Sequence, residues 1–235
     1  MTLNLWRYYD WDNRIDSIIS LIANEKPDVI AFQEVLTNHA YSDFSATDFI
    51  ADKCVYQYRA FAPTLARHKT RDRSGEHNQL ASEGQAVISK FPIVTSESYF
   101  LTYRPEYPEE KAVLFCKINV EDKLIDICNV HFANCEVAYA QLDELLELVS
   151  KRRIEPIILG DFNIYKLARY KEKSNILKSY TLSSELSDYI SYPDDKESLD
   201  YIAIPKEKFY LTGIKCPDEY VSDHRALLAT IEARY

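Results

Sequence analysis

Seven polar residues of this chain stand directly beside apolar segments and carry side chains that bind metals or move protons. They are Asn4, Glu34, His131, Asp161, Asn163, Asp223 and His224. Loops at one edge of a β-sheet converge, so we expect these side chains to meet in a single crevice although they are far apart along the chain. The set is rich in oxygen and contains two imidazoles, which favours hydrolysis assisted by a hard divalent cation.

Phosphoester hydrolysis would explain this choice of residue types. A phosphodiester is anionic, so water attacks it only when charge is neutralised, and a cation held by carboxylates polarises the phosphoryl oxygen and stabilises the leaving alkoxide. Mg²⁺ suits this task because it prefers oxygen ligands and keeps several waters, with Mn²⁺ as the alternative ion. Imidazoles add donors that take up developing charge, and no cysteine or serine nucleophile is required.

Each residue also has a purely structural interpretation when it is taken alone. A carboxylate just past a strand, such as Glu34 or Asp223, is usually a solvated turn residue, and His131 could be a core histidine. The segment 160–163 is more informative, because the chain has four glycines and one of them stands where a buried strand must turn sharply. The functional prediction therefore depends on the joint occurrence of the residues.

Hydrophobic periodicity predicts the elements that position these residues. The chain begins with a β-prone run over residues 2–6. A helix follows, marked by Ile15, Ile18 and Ile22 and capped by Asp12, and then a strand over 28–34. This order of strand, helix and strand favours a parallel strand pair. A second helix is predicted around 138–149, a hairpin tip at 121–123, and an irregular region over about 38–80. Further strands are predicted over 86–89, 113–118, 124–130, 156–159, 199–204, 209–214 and 226–231. Mixed sheets, packed in pairs and flanked by helices, fit this order best.

Composition excludes several classes of protein. The 235 residues suit one domain with a full core, and 46% hydrophobic with 28% charged residues is ordinary for a soluble protein. No apolar run could span a bilayer and no export signal is recognisable, so we expect a cytoplasmic monomer without membrane insertion. Five scattered cysteines predict reduced thiols, and the five histidines include no HExxH, which argues against a zinc hydrolase.

Seven sequence blocks, in this order, resemble those of the endonuclease/exonuclease/phosphatase superfamily. They are Leu3-Asn4-Leu5-Trp6, residues 27–34, residues 83–93, Asn129-Val130-His131, Gly160-Asp161-Phe162-Asn163, Leu199-Asp200-Tyr201-Ile202 and Ser222-Asp223-His224. The resemblance covers nearly the whole chain. It implies an α/β fold, a four-layer sandwich of two packed mixed β-sheets flanked by helices, with residues 1–235 as a single catalytic domain.

The resemblance also implies a role for each matching residue. Glu34 would ligate the metal, Mg²⁺ or Mn²⁺, with Asn4 and Asp223 near it. Asp161 would orient or deprotonate the attacking water, and Asn163 would hold that water or a phosphate oxygen.

The remaining implied roles concern the two histidines. His131 would donate to a non-bridging phosphate oxygen. His224, paired with Asp200, would stabilise or protonate groups around the transition state. The division of labour between His131, Asp161 and His224 stays open at this point.

The substrate is less well defined by the sequence. A basic segment could clamp phosphates or could be a solvated loop; it consists of Arg67, His68, Lys69, Arg71 and Arg73, with Arg59 upstream. Four tyrosines could stack on bases or fill the core; they are Tyr8, Tyr9, Tyr103 and Tyr107. The formal net charge of -9 opposes binding of long duplexes.

Among the branches of the superfamily, the deoxyribonucleases, apurinic-site endonucleases, sphingomyelinases and inositol-polyphosphate phosphatases differ in substrate. The block at residues 3–6 lacks the Asn-Gly continuation of the apurinic-site branch. We favour a phosphodiesterase acting on a nucleic-acid end, a single strand or a small phosphodiester. The alternatives are a phosphatase of a small phosphorylated metabolite or lipid headgroup, and a catalytically inactive binding module on the same fold.

Overall fold

Two β-sheets packed face to face form the centre of the structure, which is a computed structural model. It describes residues 1–37, 45–70, 79–102, 110–134 and 136–234, with the backbone alone for 65–70 and 79–81. The first sheet contains, in spatial order, β1 (Thr2–Asn4), β2 (Val29–Leu36), β4 (Gln79–Ser89) and β3 (Tyr58–Thr70). A hairpin of β11 (Phe209–Lys215) and β12 (Leu228–Ala233) adjoins this sheet through an antiparallel bridge between Thr2 and Leu227.

The second sheet has six strands. In spatial order they are β5 (Ile93–Phe100), β6 (Ala112–Val120), β7 (Lys123–His131), β8 (Ile157–Asp161), β10 (Asp200–Pro205) and β9 (Tyr180–Leu182). β1 runs parallel to β2 in the first sheet and β7 runs parallel to β8 in the second, while the other pairings are antiparallel. Both sheets are therefore mixed, as the sequence predicted.

Helices cover the outer face of each sheet. α1 (Trp11–Glu25) and α2 (Ala46–Cys54) contribute to the apolar cluster on the first sheet, and α3 (Glu136–Arg152) and α4 (Leu167–Lys171) contribute to the cluster on the second. A third cluster of aliphatic side chains lies between the two sheets. The short helix α5 (Ser183–Leu186) and a 3₁₀ turn at Leu177–Ser179 flank β9. The predicted four-layer α/β sandwich is confirmed.

The turn between β6 and β7 also follows the sequence prediction. Val120 pairs with Lys123, so Glu121 and Asp122 form a two-residue loop. Both loop residues have positive φ, 49° and 64°, the backbone that a tight hairpin turn requires. An acidic residue tolerates this conformation better than a β-branched residue does.

Two local predictions were wrong. α1 begins at Trp11, so Asp12 lies inside its first turn and does not cap the helix, although its charge still complements the helix N-terminus. The region over 38–80 is not irregular where it is described, because it contains α2 and the long strand β3. β3 buries small residues, Ala60 and Ala62, and carries Pro63, so it lacks the apolar alternation of an ordinary strand. Proline is tolerated there because β3 lies at the edge of its sheet.

A buried polar contact joins the two sheets behind the functional edge. Asn129 on β7 donates to the carbonyl oxygens of Phe32 (2.9 Å) and Ala86 (3.0 Å), which belong to the opposite sheet. Its own side-chain oxygen accepts from Gln33 at 2.7 Å. Since buried amides are stabilising only when paired, these bonds fix the relative position of the sheets two residues before His131.

Candidate active site

A β-bulge positions Glu34 at the end of β2. The register between β2 and β4 shifts between Phe32 and Val35, and Glu34 has a φ of 52°. A bulge redirects a side chain relative to the regular strand alternation. The Glu34 side chain is 19% exposed and faces the end of the sandwich where the other predicted residues lie. This local irregularity, rather than a turn, explains how an acidic residue is accommodated near the end of an apolar strand, where Val35 and Leu36 still follow it.

Gly160 brings Asp161 beside His131. Its φ is 142°, and a Cβ at this position would lie 2.0 Å from the carbonyl oxygen of Val130. Only glycine allows β8 to approach β7 so closely. The next pair in the register is His131 with Asp161, so the two side chains emerge next to each other at the edge of the sheet.

Asp161 lies at the centre of the arrangement. Its Oδ2 atom is 3.1 Å from Asn4 Nδ2, 3.8 Å from His131 Nε2 and 3.7 Å from His224 Nε2. Asn4 also donates to Glu34 Oε1 at 3.4 Å. Side chains from three separate segments of the chain thus converge on one buried carboxylate.

Asp200 and His224 form the pair that the sequence predicted. His224 Nδ1 lies 2.8 Å from Asp200 Oδ2, and both side chains are almost completely buried. β10 runs antiparallel to β8, which places Asp200 opposite Asp161 in the register. The ring of Tyr192 packs against the imidazole with 4.9 Å between ring centroids.

The environment gives the two histidines opposite charge states. Burial lowers the pKa of His224, but the neighbouring carboxylates of Asp200 and Asp161 outweigh burial and raise it to about 10. Burial and the Lys111 ammonium, whose nitrogen is 3.4 Å from His131 Nε2, hold the pKa of His131 well below its usual value. At neutral pH one ring is a cation and the other is neutral.

The acidic residues respond to the same burial. Burial raises the pKa of Asp161 to about 7, against the opposing effect of His224. Burial and the adjacent carboxylate of Glu83 raise the pKa of Glu34. Burial also raises the pKa of Asp223, whose side chain accepts a hydrogen bond from the Ser222 hydroxyl at 2.9 Å. This concentration of negative charge is of the kind that a bound cation relieves.

Asn163 supports Asp161 through its backbone. It has a φ of 50°, and its N–H donates to Asp161 Oδ1 at 3.0 Å. The side-chain amide donates to the carbonyl oxygen of Phe132 at 2.8 Å, which fixes the amide beside the site. The structure therefore brings together every residue singled out from the sequence blocks.

Sequence reasoning missed three charged residues at this edge. Arg7 Nε lies 2.7 Å from Glu83 Oε2 and 3.5 Å from Glu34 Oε2, and Lys111 adjoins His131. Glu83 opens one of the recognised blocks and could have been found there. Lys111 follows two glutamates and resembles a residue of a solvated turn, whereas Arg7 directly follows the block at residues 3–6 and could have been noticed there.

A fully buried arginine, also missed, connects the loops around the site. Arg14 on α1 donates from Nη1 to Val221 O at 2.7 Å, from Nη2 to Leu5 O at 3.2 Å, and from Nε to Tyr9 O at 2.8 Å. Leu5 follows Asn4, and Val221 precedes the Ser222-Asp223-His224 block. One guanidinium thus holds both segments at fixed positions relative to α1.

The predicted substrate-binding residues are only partly described. Arg59, for which a phosphate contact and a solvated loop were both left open, forms ion pairs with Asp48 (3.0 Å) and Asp52 (2.7 Å) on α2. Tyr8 donates to Leu36 O and is partly buried, whereas Tyr9 is 62% exposed. The side chains of Arg67, His68 and Lys69, together with Arg71, Arg73, Tyr103 and Tyr107, lie outside the described residues.

Comparison with known proteins identifies the family. A sequence model of the Endonuclease/Exonuclease/phosphatase family matches residues 1–224. Uncharacterized protein L388 of Acanthamoeba polyphaga mimivirus is 30% identical over 165 residues, which cover 66% of this chain and 60% of the viral protein. An endonuclease/exonuclease/phosphatase family protein from Leptotrichia buccalis has a TM-score of 0.75 at 20% identity, with 98% of both chains covered. The human Nocturnin catalytic domain, solved with a bound sulfate anion, has a TM-score of 0.68 at 20% identity and covers 95% of this chain and 87% of that chain.

The chain therefore belongs to the endonuclease/exonuclease/phosphatase family, whose members hydrolyse phosphoester bonds and are generally dependent on a divalent metal. A buried group of potential ligands, Asp161, Asp200 and His224, is present in the described part of the chain, with ligand atoms within 4.8 Å of one another. The hydrogen bond between His224 and Asp200 already occupies one of these ligand nitrogens. No helix among the described residues has the length and apolar character needed to cross a bilayer.

Proposed function

We propose that this protein is a divalent-metal-dependent phosphodiesterase of the nuclease type, with Asp161 as the group that activates water. The observation that carries the proposal is the convergence on Asp161 Oδ2 of Asn4 (3.1 Å), His224 (3.7 Å) and His131 (3.8 Å), all from different segments. A carboxylate surrounded by donors and imidazoles is suited to take a proton from water and to hold that water in one position.

The residues at the mouth of the site fit a divalent cation. The carboxylates of Glu34 and Asp223 and the side-chain oxygen of Asn4 are oxygen ligands, and burial disfavours the uncompensated charge of both carboxylates by raising their pKa. Oxygen donors of this kind are preferred by Mg²⁺, which is the proposed ion, with Mn²⁺ as the alternative. When bound, the ion would neutralise charge on the phosphate and stabilise the leaving oxygen.

The pKa of Asp161 suits a general base that works near neutral pH. Its pKa of about 7 lies far above that of a solvated aspartate and close to the working pH. The N–H of Asn163 holds Oδ1 at 3.0 Å, which leaves Oδ2 facing the imidazoles and the space where substrate would lie. Asp161 can therefore receive the proton of the attacking water without moving.

The two histidines would stabilise the phosphate as negative charge develops. His224, with its pKa of about 10, is an imidazolium at neutral pH and would donate from Nε2 to a phosphate oxygen. Asp200 holds the other nitrogen at 2.8 Å and so sets the orientation of the ring. His131 stays neutral and would contribute a hydrogen bond without adding charge.

The test is hydrolysis of a substrate panel by purified protein. The panel contains a small chromogenic phosphodiester, a phosphate monoester, a single-stranded oligonucleotide and a short duplex, each with magnesium and with a chelator. We expect cleavage of phosphodiesters, loss of turnover on chelation, and recovery with magnesium or manganese. Preference for the monoester would instead favour a phosphatase of small metabolites.

A pair of matched variants separates enzyme from binding module. Asp161→Asn should lower the rate of hydrolysis by about 100-fold or more, which is the usual contribution of a positioned general base. The fold and the binding of substrate should persist in this variant. Asp12→Asn, the same change at an exposed site on α1, should leave the rate unaltered. Binding of a phosphoester without turnover of any member of the panel would refute the proposal.

A further inference from the structure

A concave surface beside the candidate site combines three tyrosine rings with three cations. Its volume is about 470 Å³, and it is lined by Tyr139, Tyr165, Lys166, Arg169, Tyr170 and Lys173. Five of these residues follow Asn163 along the chain, in the loop after β8 and in and after α4, and the sixth comes from the first turn of α3. We call these six residues the basic-aromatic surface.

The rings of this surface are held in place by hydrogen bonds and by each other. Tyr165 is 46% exposed, and its hydroxyl donates to Asp195 Oδ2 at 3.0 Å. Tyr139 and Tyr170 pack with 5.0 Å between ring centroids, and the Tyr170 hydroxyl donates to Asp143. Tyr139 and Tyr170 are half-buried against the core, so Tyr165 is the exposed ring, and a ring with a fixed position offers a stacking platform at little entropic cost.

The cations of the surface are exposed and available to a ligand. Within the described residues, no carboxylate lies at ion-pair distance from Lys166, Arg169 or Lys173. Carboxylates also lie close by: Asp143 and Asp195 accept the tyrosine hydrogen bonds, and Glu172 precedes Lys173 in the chain. Three exposed cations without an ion pair in the described part of the chain suit an anionic ligand, although the formal net charge is -9.

The basic-aromatic surface is continuous with the candidate site. Tyr165 lies two residues beyond Asn163, and its bond to Asp195 ties it to the loop that carries Tyr192. The Tyr192 ring in turn packs on His224, with 4.9 Å between centroids. A chain-like ligand cleaved beside His224 could therefore extend across Tyr192 and Tyr165 onto the three cations.

We propose that the basic-aromatic surface binds a single-stranded segment of a nucleic-acid substrate next to the scissile phosphate. Bases would stack on the tyrosine rings, and backbone phosphates would lie against Lys166, Arg169 and Lys173. Unpaired bases are required because a duplex hides their faces. This inference rests on the proposed function and specifies its substrate.

The first experiment measures binding without turnover. A fluorescent single-stranded DNA of about 12 nucleotides, within the span covered by one binding module, is titrated into protein carrying Asp161→Asn, with anisotropy as the readout. Each phosphate neutralised on a single strand contributes about 0.7 to the salt slope. Replacing Lys166, Arg169 and Lys173 together by glutamine should therefore reduce the slope by about 2 and weaken binding at low salt by about tenfold or more.

Matched controls separate local contact from net charge. Lys26, Lys90 and Lys215 lie near the start of β2, at the opposite edge of the sheets. Replacing these three by glutamine changes the net charge equally and should leave the salt slope unaltered. An equal effect of the two triple variants would overturn the inference, because binding would then follow overall charge.

The aromatic contribution is tested at one ring. Tyr165→Leu should weaken binding of the single strand by about tenfold, the worth of one base stack, whereas Tyr165→Phe should keep it. A duplex of the same sequence should bind more weakly than the single strand, and a ribonucleotide strand should bind as the DNA does. Equal binding of duplex and single strand, or no effect of the leucine variant, would refute the stacking.

Hydrolysis of a small chromogenic phosphodiester distinguishes the two proposals. This substrate cannot reach the basic-aromatic surface, so its turnover should be the same in wild type and in the triple glutamine variant, while KM for the oligonucleotide rises. If the triple glutamine variant hydrolyses the small substrate and binds the oligonucleotide as wild type does, the inference about the basic-aromatic surface is wrong and the proposed function stands. If wild type cleaves no phosphoester, the proposed function is wrong. The anisotropy titration would still decide whether the basic-aromatic surface binds single-stranded DNA.

Discussion

The replacement Asp200→Asn should change the charge of His224 and therefore the chemistry of the site. The variant keeps the size of the side chain and one hydrogen-bonding atom beside His224 Nδ1, but it removes the carboxylate charge 2.8 Å away. Among the causes that raise the pKa of His224, Asp200 is the largest, followed by Asp161. Since burial alone lowers the pKa of the ring, the variant should have a largely neutral imidazole at pH 8.

The size of the effect follows from the two pKa values. A rise from 6.5 to about 10 corresponds to roughly 5 kcal/mol in favour of the protonated ring. This raised pKa stabilises the fold below pH 6.5, and the contribution is lost as the pH rises through about 10. Asp200→Asn should thus be less stable than wild type at pH 6 to 8, with the difference shrinking above pH 10.

Two measurements test this reasoning. In metal-free protein, NMR titration of the His224 ring should show a pKa near 10 in wild type and a pKa several units lower in Asp200→Asn. In magnesium-saturated protein, Asp200→Asn should lower kcat for a small phosphodiester by about 100-fold at pH 8. His224→Ala should be worse, and the double variant should be no worse than His224→Ala, because Asp200 acts only through the ring. Losses that multiply would show that the two residues do not act as a unit.

Four further predictions follow from individual contacts. Glu34→Gln should weaken magnesium binding, measured by calorimetry, with little change in melting temperature; unchanged affinity would remove Glu34 from the metal site. Arg14→Lys replaces three donor nitrogens by one, so it should lower kcat while KM stays nearly constant. An unaltered kcat would show that Arg14 does not position the site. Asn129→Leu should cost about 3 kcal/mol of unfolding free energy in denaturant titrations, because it removes the donor to two buried carbonyls of the first sheet and the acceptor of the Gln33 amide. Gly160→Ala should cost about 3 kcal/mol or more, since its Cβ would meet the Val130 carbonyl, and a smaller loss would mean that the strands can separate.

Strands that bury large aliphatic residues were predictable, and strands that bury small ones were not. β7 and β8 carry isoleucine, leucine and valine in short runs, so their apolar character alone identified them. β3 presents Ala60, Ala62 and Thr64 to the core and contains Pro63, which reads as a turn. Its strand conformation depends on pairing with β4, and such long-range hydrogen bonding leaves no periodic signal in the strand itself.

The residues of the candidate site were predictable because each belongs to a recognisable block, but the residues that hold them were not. Arg14 shares the helical spacing of the buried Ile18 and Ile22, but its residue type is typical of the surface, and its buried guanidinium bonds three carbonyls. A carbonyl acceptor is present at every position of a chain, so its partner cannot be inferred from residue type. Supporting contacts of this kind require coordinates.

The two histidines show where prediction from residue type ends. His131 ends a strand and His224 precedes one; the sequence blocks pair His224 with Asp200, whose carboxylate favours a protonated ring, but they indicate no charged partner for His131. In the structure, the ammonium of Lys111 lies 3.4 Å from the first ring and the carboxylate of Asp200 lies 2.8 Å from the second. Both rings are buried, so burial lowers the pKa of each, and the sign of the nearest charge decides the outcome. One site thus obtains a neutral and a cationic imidazole on either side of Asp161. In the proposed mechanism, the cationic ring would bring positive charge to the phosphate, and the carboxylate between the rings would accept a proton from water.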